Sequence, residues 1–221
     1  MKIPLSVRGG YSWVIITAVG SYDLYVSTVG YHEAVSSVAH VRGSVAGAAI
    51  LTLFGASWCI VALALWPAHP GWSIPAGCVA AIALLALCVL RLMAVRNIPS
   101  FDDPVAAAKG KRAGMFFGII FGGEGVLIWL CAALLAHLGL SIWIPIAVAV
   151  IVGLHFIPLA RVFEVPLYYW TGALTVLGML ACSLIGNSGT RLLCAGLLMA
   201  AVLWLTALLL LLLTRPEQRP A

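Results

Sequence analysis

The chain has 221 residues, of which 63% are hydrophobic and 9% are charged, and its formal net charge is +5 at pH 7. Soluble domains are about half apolar and about one quarter charged, so this composition excludes a soluble globular protein and predicts one that lies largely in lipid. Nucleic-acid binding is not indicated, because it needs basic residues clustered on one soluble face.

The N-terminal residues 1–43 are predicted to form an amphipathic or interfacial segment at headgroup level. The run from Trp13 to Gly30 is apolar in its first half, but Asp23 and several small or polar residues dilute the rest. Two alternatives stay open for this run. It could form a seventh span, or it could be a signal peptide cleaved near Ala18.

Six apolar runs are long enough to cross a hydrocarbon core of about 30 Å, which takes on the order of 20 helical residues. We therefore predict an all-α bundle of six transmembrane helices over residues 44–213, followed by a cytoplasmic tail over residues 214–221. The links between the runs are short, apart from residues 96–111, which favours a single membrane domain. The predicted spans are Ser44 to Trp66, Ser73 to Val95, Arg112 to His137, Ile142 to Arg161, Pro166 to Gly186 and Arg191 to Leu213.

The basic residues predict the orientation of the bundle, because cytoplasmic loops collect Lys and Arg. With the N-terminus inside, eleven of the twelve basic residues fall on the cytoplasmic side and only Arg191 falls outside. This bias favours an even number of crossings in a cytoplasmic-type (inner) cell membrane, with both termini in the cytoplasm.

Two links carry similar sequences, AHPGWSI at 68–74 and AHLGLSI at 136–142. Each lies in a predicted outside link between two spans. The likeness indicates a duplicated two-helix hairpin, as in transporters with parallel repeats. A shared type of turn is the alternative, because turns favour Gly, Pro and Ser in any case.

The third span carries Gly114, Gly118 and Gly122 at four-residue spacing, which forms two overlapping G-x-x-x-G units. Such a stripe lets a neighbouring backbone come close. We expect it to pack against another helix of the same chain, and homo-oligomerisation through the same face stays open.

Glu124 lies in the same span, twelve residues after Arg112. At a rise of 1.5 Å per residue this is about 18 Å, which predicts a position near the middle of the bilayer. A carboxylate there costs about 2.5 to 3.5 kcal/mol, so it normally faces a partner, a cavity or water. The pattern predicts a proton, cation or ligand site on the face that carries Phe117 and Phe121. A neutral glutamic acid that donates one structural hydrogen bond is the alternative.

The stretch VGLHFIPLARVFEVPLYYW, residues 152–170, joins the fourth and fifth spans. His155 lies six residues before Arg161, about 9 Å inside the predicted cytoplasmic boundary. Pro158 is expected to kink the helix and to free the carbonyl of Leu154. His155 and Arg161 are therefore candidate ligand- or proton-binding residues. A hydrogen-bonded packing role for the histidine is equally consistent with the pattern.

The rest of this stretch suits an inner turn. Arg161 and Glu164 are spaced to pair if the helix continues that far. Tyr168, Tyr169 and Trp170 are expected to belong to an aromatic belt at the membrane surface.

No motif for familiar soluble catalysis is present, since the sequence has no Walker loop, no H-E-x-x-H and no G-x-S-x-G. The six cysteines show no C-x-x-C spacing, and they are predicted to be small buried apolar residues. Asp102 and Asp103 are expected to lie in a solvated turn. We therefore predict no metal site and no cofactor.

The segment from Ile144 to Tyr169, with its core VGLHFIPLA, resembles a late span of small bacterial multi-pass membrane proteins from uncharacterised families. Gly153, His155, Phe156 and Pro158 carry the likeness. The resemblance implies that His155 and Pro158 matter, and it implies no activity.

Three classes of function fit these features. The first is transport or channel-like permeation of a small solute, ion or proton, with Glu124 as the protonatable or cation-contacting group. The second is a membrane-embedded enzyme that acts on a lipid or quinone, with Glu124 or His155 as general acid or base. The third is a non-catalytic subunit whose glycine face binds another membrane protein. Membrane lipids are expected to surround the chain in each case.

Overall fold

The structure is a computed structural model that describes residues 21–66, 70–94 and 104–214. These residues form helices and turns without any strand, as the predicted all-α class requires. A short 3₁₀ turn, Ser141–Trp143, precedes the fourth helix. The six α-helices are α1 (Ser21–Ala64), α2 (Ser73–Ala94), α3 (Pro104–His137), α4 (Ile144–Val162), α5 (Leu167–Ser183) and α6 (Ser188–Leu213).

Five segments of these helices are long and apolar enough to cross a membrane. Their limits agree with five of the predicted spans to within three residues at each end, because apolar composition and chain breaks are local properties of the sequence. The predicted span from Pro166 to Gly186 corresponds to α5, which is apolar but has only 17 residues. The five long segments are Val41–Ala64, Ser73–Ala94, Gly110–His137, Ser141–Val162 and Ser188–Leu213.

Helix α1 is a single rod of 44 residues that enters the first span without a break. Its sequence contains no proline, and Pro67 follows its end. The predicted border between the N-terminal segment 1–43 and the first span therefore lies inside a continuous helix. The predicted signal peptide lies in residues 1–20, outside the described residues, as do residues 13–20 of the possible seventh span and nearly all of the predicted tail. Residues 21–30 of that possible span belong to α1, and the seventh span stays a prediction.

The helices pack as three antiparallel hairpins, α1 with α2, α3 with α4, and α5 with α6. The long α1 also packs along α6, and α4 packs along α5, so these four helices build the core. Glycine permits the closest approaches. A Cβ on Gly196 would lie 2.5 Å from the Cβ of Ala62, and one on Gly172 would lie 2.7 Å from the carbonyl oxygen of Gly153. Helices α2 and α3 cover the outside of this core.

The described parts of the two similar links, residues 70–74 and 136–142, adopt different conformations. Gly139 in the second link has a φ of 71°, a left-handed conformation that glycine adopts without strain, and the 3₁₀ turn follows it. In the first link α2 begins directly at Ser73, whose hydroxyl donates a hydrogen bond to the carbonyl oxygen of Pro70. A shared turn conformation therefore does not explain the similar letters, and the duplicated hairpin stays a prediction.

Two contacts of Arg191 show how far α5 extends along α4. The guanidinium of Arg191, at the start of α6, lies 4.0 Å from the ring centroid of Trp143, just before α4, and it donates a hydrogen bond to the carbonyl oxygen of Ile185. The residues after α5 therefore return to the level at which α4 begins. Despite its 17 residues, α5 with its flanking turns covers the same height as α4.

Candidate functional site

Helix α3 has one face that is less exposed than the rest, and Glu124 lies on it. The residues of this face follow one another at spacings of three and four, as expected of a helix with a single inward stripe. The carboxyl group therefore faces the bundle instead of lipid, and the Glu124 side chain is only 7% exposed. The residues of the inward face are Ala113, Phe117, Ile120, Glu124, Ile128 and Cys131.

His155 of α4 meets this carboxyl group. Its Nδ1 atom lies 3.2 Å from Oε1 of Glu124, and the histidine side chain is 14% exposed. The register of the hairpin explains the meeting, because Glu124 lies 13 residues before the end of α3 at His137 and His155 lies 14 residues after Ser141. The structure thus brings together two candidates that the sequence placed in separate spans.

The hydrogen bonds of His155 assign the position of its proton. Nδ1 lies 2.8 Å from the carbonyl oxygen of Val152 as well as 3.2 Å from Glu124. A carbonyl oxygen can only accept, so Nδ1 carries the hydrogen and shares it between the carbonyl and the carboxylate. In the neutral ring Nε2 is then the atom that accepts a further proton. This assignment rests on the partners of the ring, since hydrogens are inferred from such networks.

The pairing also corrects the predicted depths. Counted from Arg112, Glu124 is about 18 Å inside the bundle, whereas His155 is about 9 Å from Arg161. Glu124 and His155 are in contact, so they lie at the same depth in the bundle. The distances of about 18 Å and about 9 Å therefore cannot both be measured from the same membrane surface. Helix α3 extends past the end of α4, which makes Arg112 a poor marker of the boundary. The pair lies in the half of the bundle that ends at Arg161.

Aromatic rings lie on the helices that carry the pair. Phe117 stacks on Phe121 at 5.8 Å, and Phe121 meets Phe54 of α1 edge to face at 6.4 Å. On the α4 side the ring of Phe156 lies 4.7 Å from that of His155. Phe156 is buried, and an apolar neighbour of this kind strengthens the electrostatic interactions of the histidine.

We expect strong energetic coupling between Glu124 and His155. Replacing either one by leucine leaves the other buried without its partner, which costs about 1–3 kcal/mol of folding free energy. The double replacement removes both polar groups at once, so its loss of stability is expected to be smaller than the sum of the single losses. Thermal unfolding in detergent of the unmodified chain, the two single variants and the double variant measures this coupling. Strict additivity would show that the contact contributes nothing to stability.

Arg161 and Pro158 are not brought to the pair. The side chain of Arg161 is exposed at the end of α4, and Pro158 also faces outward. Helix α4 ends at Val162, and Glu164 follows in a left-handed conformation with a φ of 56°. The helical spacing that the predicted pairing of Arg161 with Glu164 required is therefore absent.

The three aromatics after the turn have different surroundings. Tyr169 and Trp170 are exposed, in agreement with a belt position. Tyr168 is buried, and its ring lies 5.7 Å from that of Phe156. Its hydroxyl would lie 2.9 Å from a Cβ on Gly47 of α1. The expectation of a belt residue is wrong for Tyr168, because the first turn of α5 directs this side chain into the core.

The glycine stripe of α3 does not pack as expected. A Cβ on Gly114, Gly118 or Gly122 would meet no described atom within 4 Å. Among the described residues the expected packing against another helix is absent, because Phe117, Ile120 and Glu124 occupy the face that α3 turns toward the bundle. The close approaches belong to other glycines, above all Gly172 and Gly196.

Sequence reasoning missed Arg191. Its side chain is buried, with 7% of the residue exposed, between the start of α4 and the start of α6. The sequence analysis used this residue only as a loop charge. The sequence does set Arg191 apart, because it is the single basic residue that the predicted orientation leaves outside.

Two further observations bear on the chemistry. Among the residues that the structure describes, no three His, Cys, Asp or Glu side chains come together as metal ligands, and all six cysteines are free. The chain matches no protein-family model, no curated protein and no solved structure. The resemblance of the segment around His155 to small bacterial membrane proteins therefore stays a prediction.

Proposed function

We propose that the protein is a multi-pass membrane protein with six crossings and with both termini on the cytoplasmic side of a cell membrane. Five helices have the length and composition for this. The height that α5 covers between α4 and α6 supports the sixth crossing. The distribution of Lys and Arg supports the orientation.

We propose further that this bundle transports, or lets permeate, a proton or a small cation, alone or coupled to a small solute. The single observation that carries the proposal is the buried contact between Glu124 and His155. Ionisable groups within membrane helices are expensive, and where they occur they commonly mark ion pathways or proton relays. A simple packing role would be filled at lower cost by two apolar side chains.

The chemistry of the pair suits such a role. The carboxylate of Glu124 can hold a proton or contact a cation, and the N–H group of His155 orients one of its oxygens. The carbonyl oxygen of Val152 keeps that N–H group in place while the carboxylate changes its charge. Two adjacent groups that each accept a proton form the smallest unit of a relay.

Flux measurements test the proposal. The full chain is reconstituted in liposomes loaded with pyranine, a pH-sensitive dye, and a membrane potential is set with valinomycin and a potassium gradient. We expect the lumen to change pH faster than in protein-free liposomes. A sodium-sensitive dye in parallel vesicles tests a cation instead of a proton. Equal rates with and without protein for both ions would overturn uncoupled permeation of a proton or of sodium.

The enzyme and partner-subunit interpretations stay predictions. An enzyme acting on a lipid or quinone would need a substrate beside His155, and it would use the same two side chains as acid and base. A partner subunit would use the outward glycine stripe around Gly118 on α3.

A further inference from the structure

The end of the bundle opposite Arg161 holds a buried positive charge, and no described acidic side chain lies beside it. Arg191 lies in the first turn of α6 with 7% of its surface exposed. An arginine side chain stays protonated at all relevant pH values, so this charge cannot be avoided by loss of a proton. A buried charge of this kind normally has an anionic partner.

Among the residues whose side chains the structure describes, no carboxylate is placed to supply that partner. Of the two glutamates whose side chains the structure describes, Glu124 contacts His155 and Glu164 lies in the link at the other end of the bundle. The three links at the Arg191 end, residues 65–72, 138–143 and 184–187, contain no Asp or Glu, and residues 1–20 contain none either. The remaining acidic residues belong to the start of α1, the link before α3 and the C-terminal tail.

The contacts of Arg191 orient its guanidinium instead of neutralising it. Its Cζ atom lies over the ring of Trp143, 4.0 Å from the ring centroid, and one N–H donates to the carbonyl oxygen of Ile185 at 3.3 Å. A guanidinium has five N–H donors in a fixed fork, and that fork matches the oxygens of a phosphate or carboxylate. The start of α6 adds the positive end of a helix dipole.

We propose that Arg191 and Trp143 form a binding site for a phosphate group at this end of the bundle. The position favours phosphate over a soluble carboxylate, because lipid phosphates lie where membrane-crossing helices end and basic pockets between such helices bind headgroups. The phosphate belongs either to a lipid headgroup or to free phosphate. Trp143 positions the guanidinium through its cation–π contact, and Arg191 supplies the charge and the donors.

The test measures thermal unfolding of the full chain in a neutral detergent. Short-chain phosphatidic acid, diacylglycerol with the same acyl chains, and inorganic phosphate are added to separate samples. We expect phosphatidic acid to raise the unfolding temperature while diacylglycerol does not. A rise with inorganic phosphate alone would identify free phosphate as the ligand and would still support the site.

Substitutions of Arg191 test whether the stabilisation by phosphatidic acid depends on this residue. Arg191→Gln is expected to raise the concentration of phosphatidic acid needed for half of the effect by about tenfold or more, the loss typical of a charged hydrogen bond. Arg191→Lys keeps the charge but not the fork, so an intermediate loss is expected. Arg112→Gln, an exposed arginine near the other end, serves as the matched control and is expected to behave like the unmodified chain.

Two results would overturn the proposal. One is an unmodified chain that phosphatidic acid stabilises no more than diacylglycerol and that inorganic phosphate does not stabilise. The other is a set of Arg191 variants that keep the full phosphate-dependent stabilisation. Should Arg191→Gln not fold, Arg191→Lys and a count of bound phospholipids on the unmodified chain by native mass spectrometry decide the question.

Discussion

Glu124→Gln is expected to reduce ion flux in reconstituted vesicles to the level of protein-free vesicles while the protein stays folded. Glutamine keeps an oxygen that can accept the shared hydrogen of His155 Nδ1, so the contact between α3 and α4 survives. It cannot bind or release a proton, and it carries no charge for a cation. The expected loss is therefore one of function without a loss of fold. Dye-loaded vesicles measure the flux, and thermal unfolding of the same preparation measures the fold.

Glu164→Gln is the matched control for this substitution. It makes the same chemical change in the other glutamate whose side chain the structure describes, at the exposed turn after α4. We expect its flux to equal that of the unmodified chain. Unchanged flux in Glu124→Gln would remove the carboxyl group from the mechanism, and equal losses in both variants would show that the effect is not specific to the buried pair.

Gly172→Ala is expected to lower the stability of the bundle. The added Cβ would lie 2.7 Å from the carbonyl oxygen of Gly153, a backbone atom that cannot turn aside as a flexible side chain can. Helices α4 and α5 must then separate, and overpacking of this kind typically costs about 1–3 kcal/mol. Thermal unfolding in detergent, with the same lipid content for each variant, measures the change.

Gly118→Ala provides the comparison on α3. No described atom lies within 4 Å of the new Cβ, and alanine favours a helix over glycine by up to about 1 kcal/mol, so no loss of stability is expected. A loss as large as that of Gly172→Ala would show that the stripe is covered after all. The larger change Gly118→Leu then tests association, because it would separate two copies or a bound subunit in mild detergent without unfolding the single chain.

Much of the helix map could be predicted from the sequence. The limits of five apolar segments follow from local hydropathy, because a run of apolar residues long enough to cross lipid ends where prolines, charges and turn residues begin. The meeting of Glu124 with His155 was also within reach, since the two residues lie at almost equal distances from the link between antiparallel helices. Depths counted from Arg112 and Arg161 hide this, because α3 extends past the end of α4 and Arg112 does not lie at the level of Arg161.

The face of each helix that packs against other helices, unlike the limits of the helix, does not follow from local hydropathy. Three glycines in a row on α3 satisfy the pattern for close packing, yet the neighbours of α3 lie on its Phe117 and Glu124 face. Tyr168 has the composition of a belt residue, but its place on the first turn of α5 directs it inward. Neither outcome can be obtained from a single segment, because each depends on the rotation of a helix relative to its neighbours.

The amino-acid sequence by itself thus determined that the chain is helical and apolar and where most of its long apolar helices begin and end. The tertiary structure decided that a carboxyl group and an imidazole share one buried contact, that the glycine stripe of α3 faces outward, and that Arg191 is buried against Trp143. The physical reason is the range of the interactions involved. Partition into lipid depends on the composition of each segment alone, whereas pairing and packing depend on the register and rotation of helices that are distant in the chain.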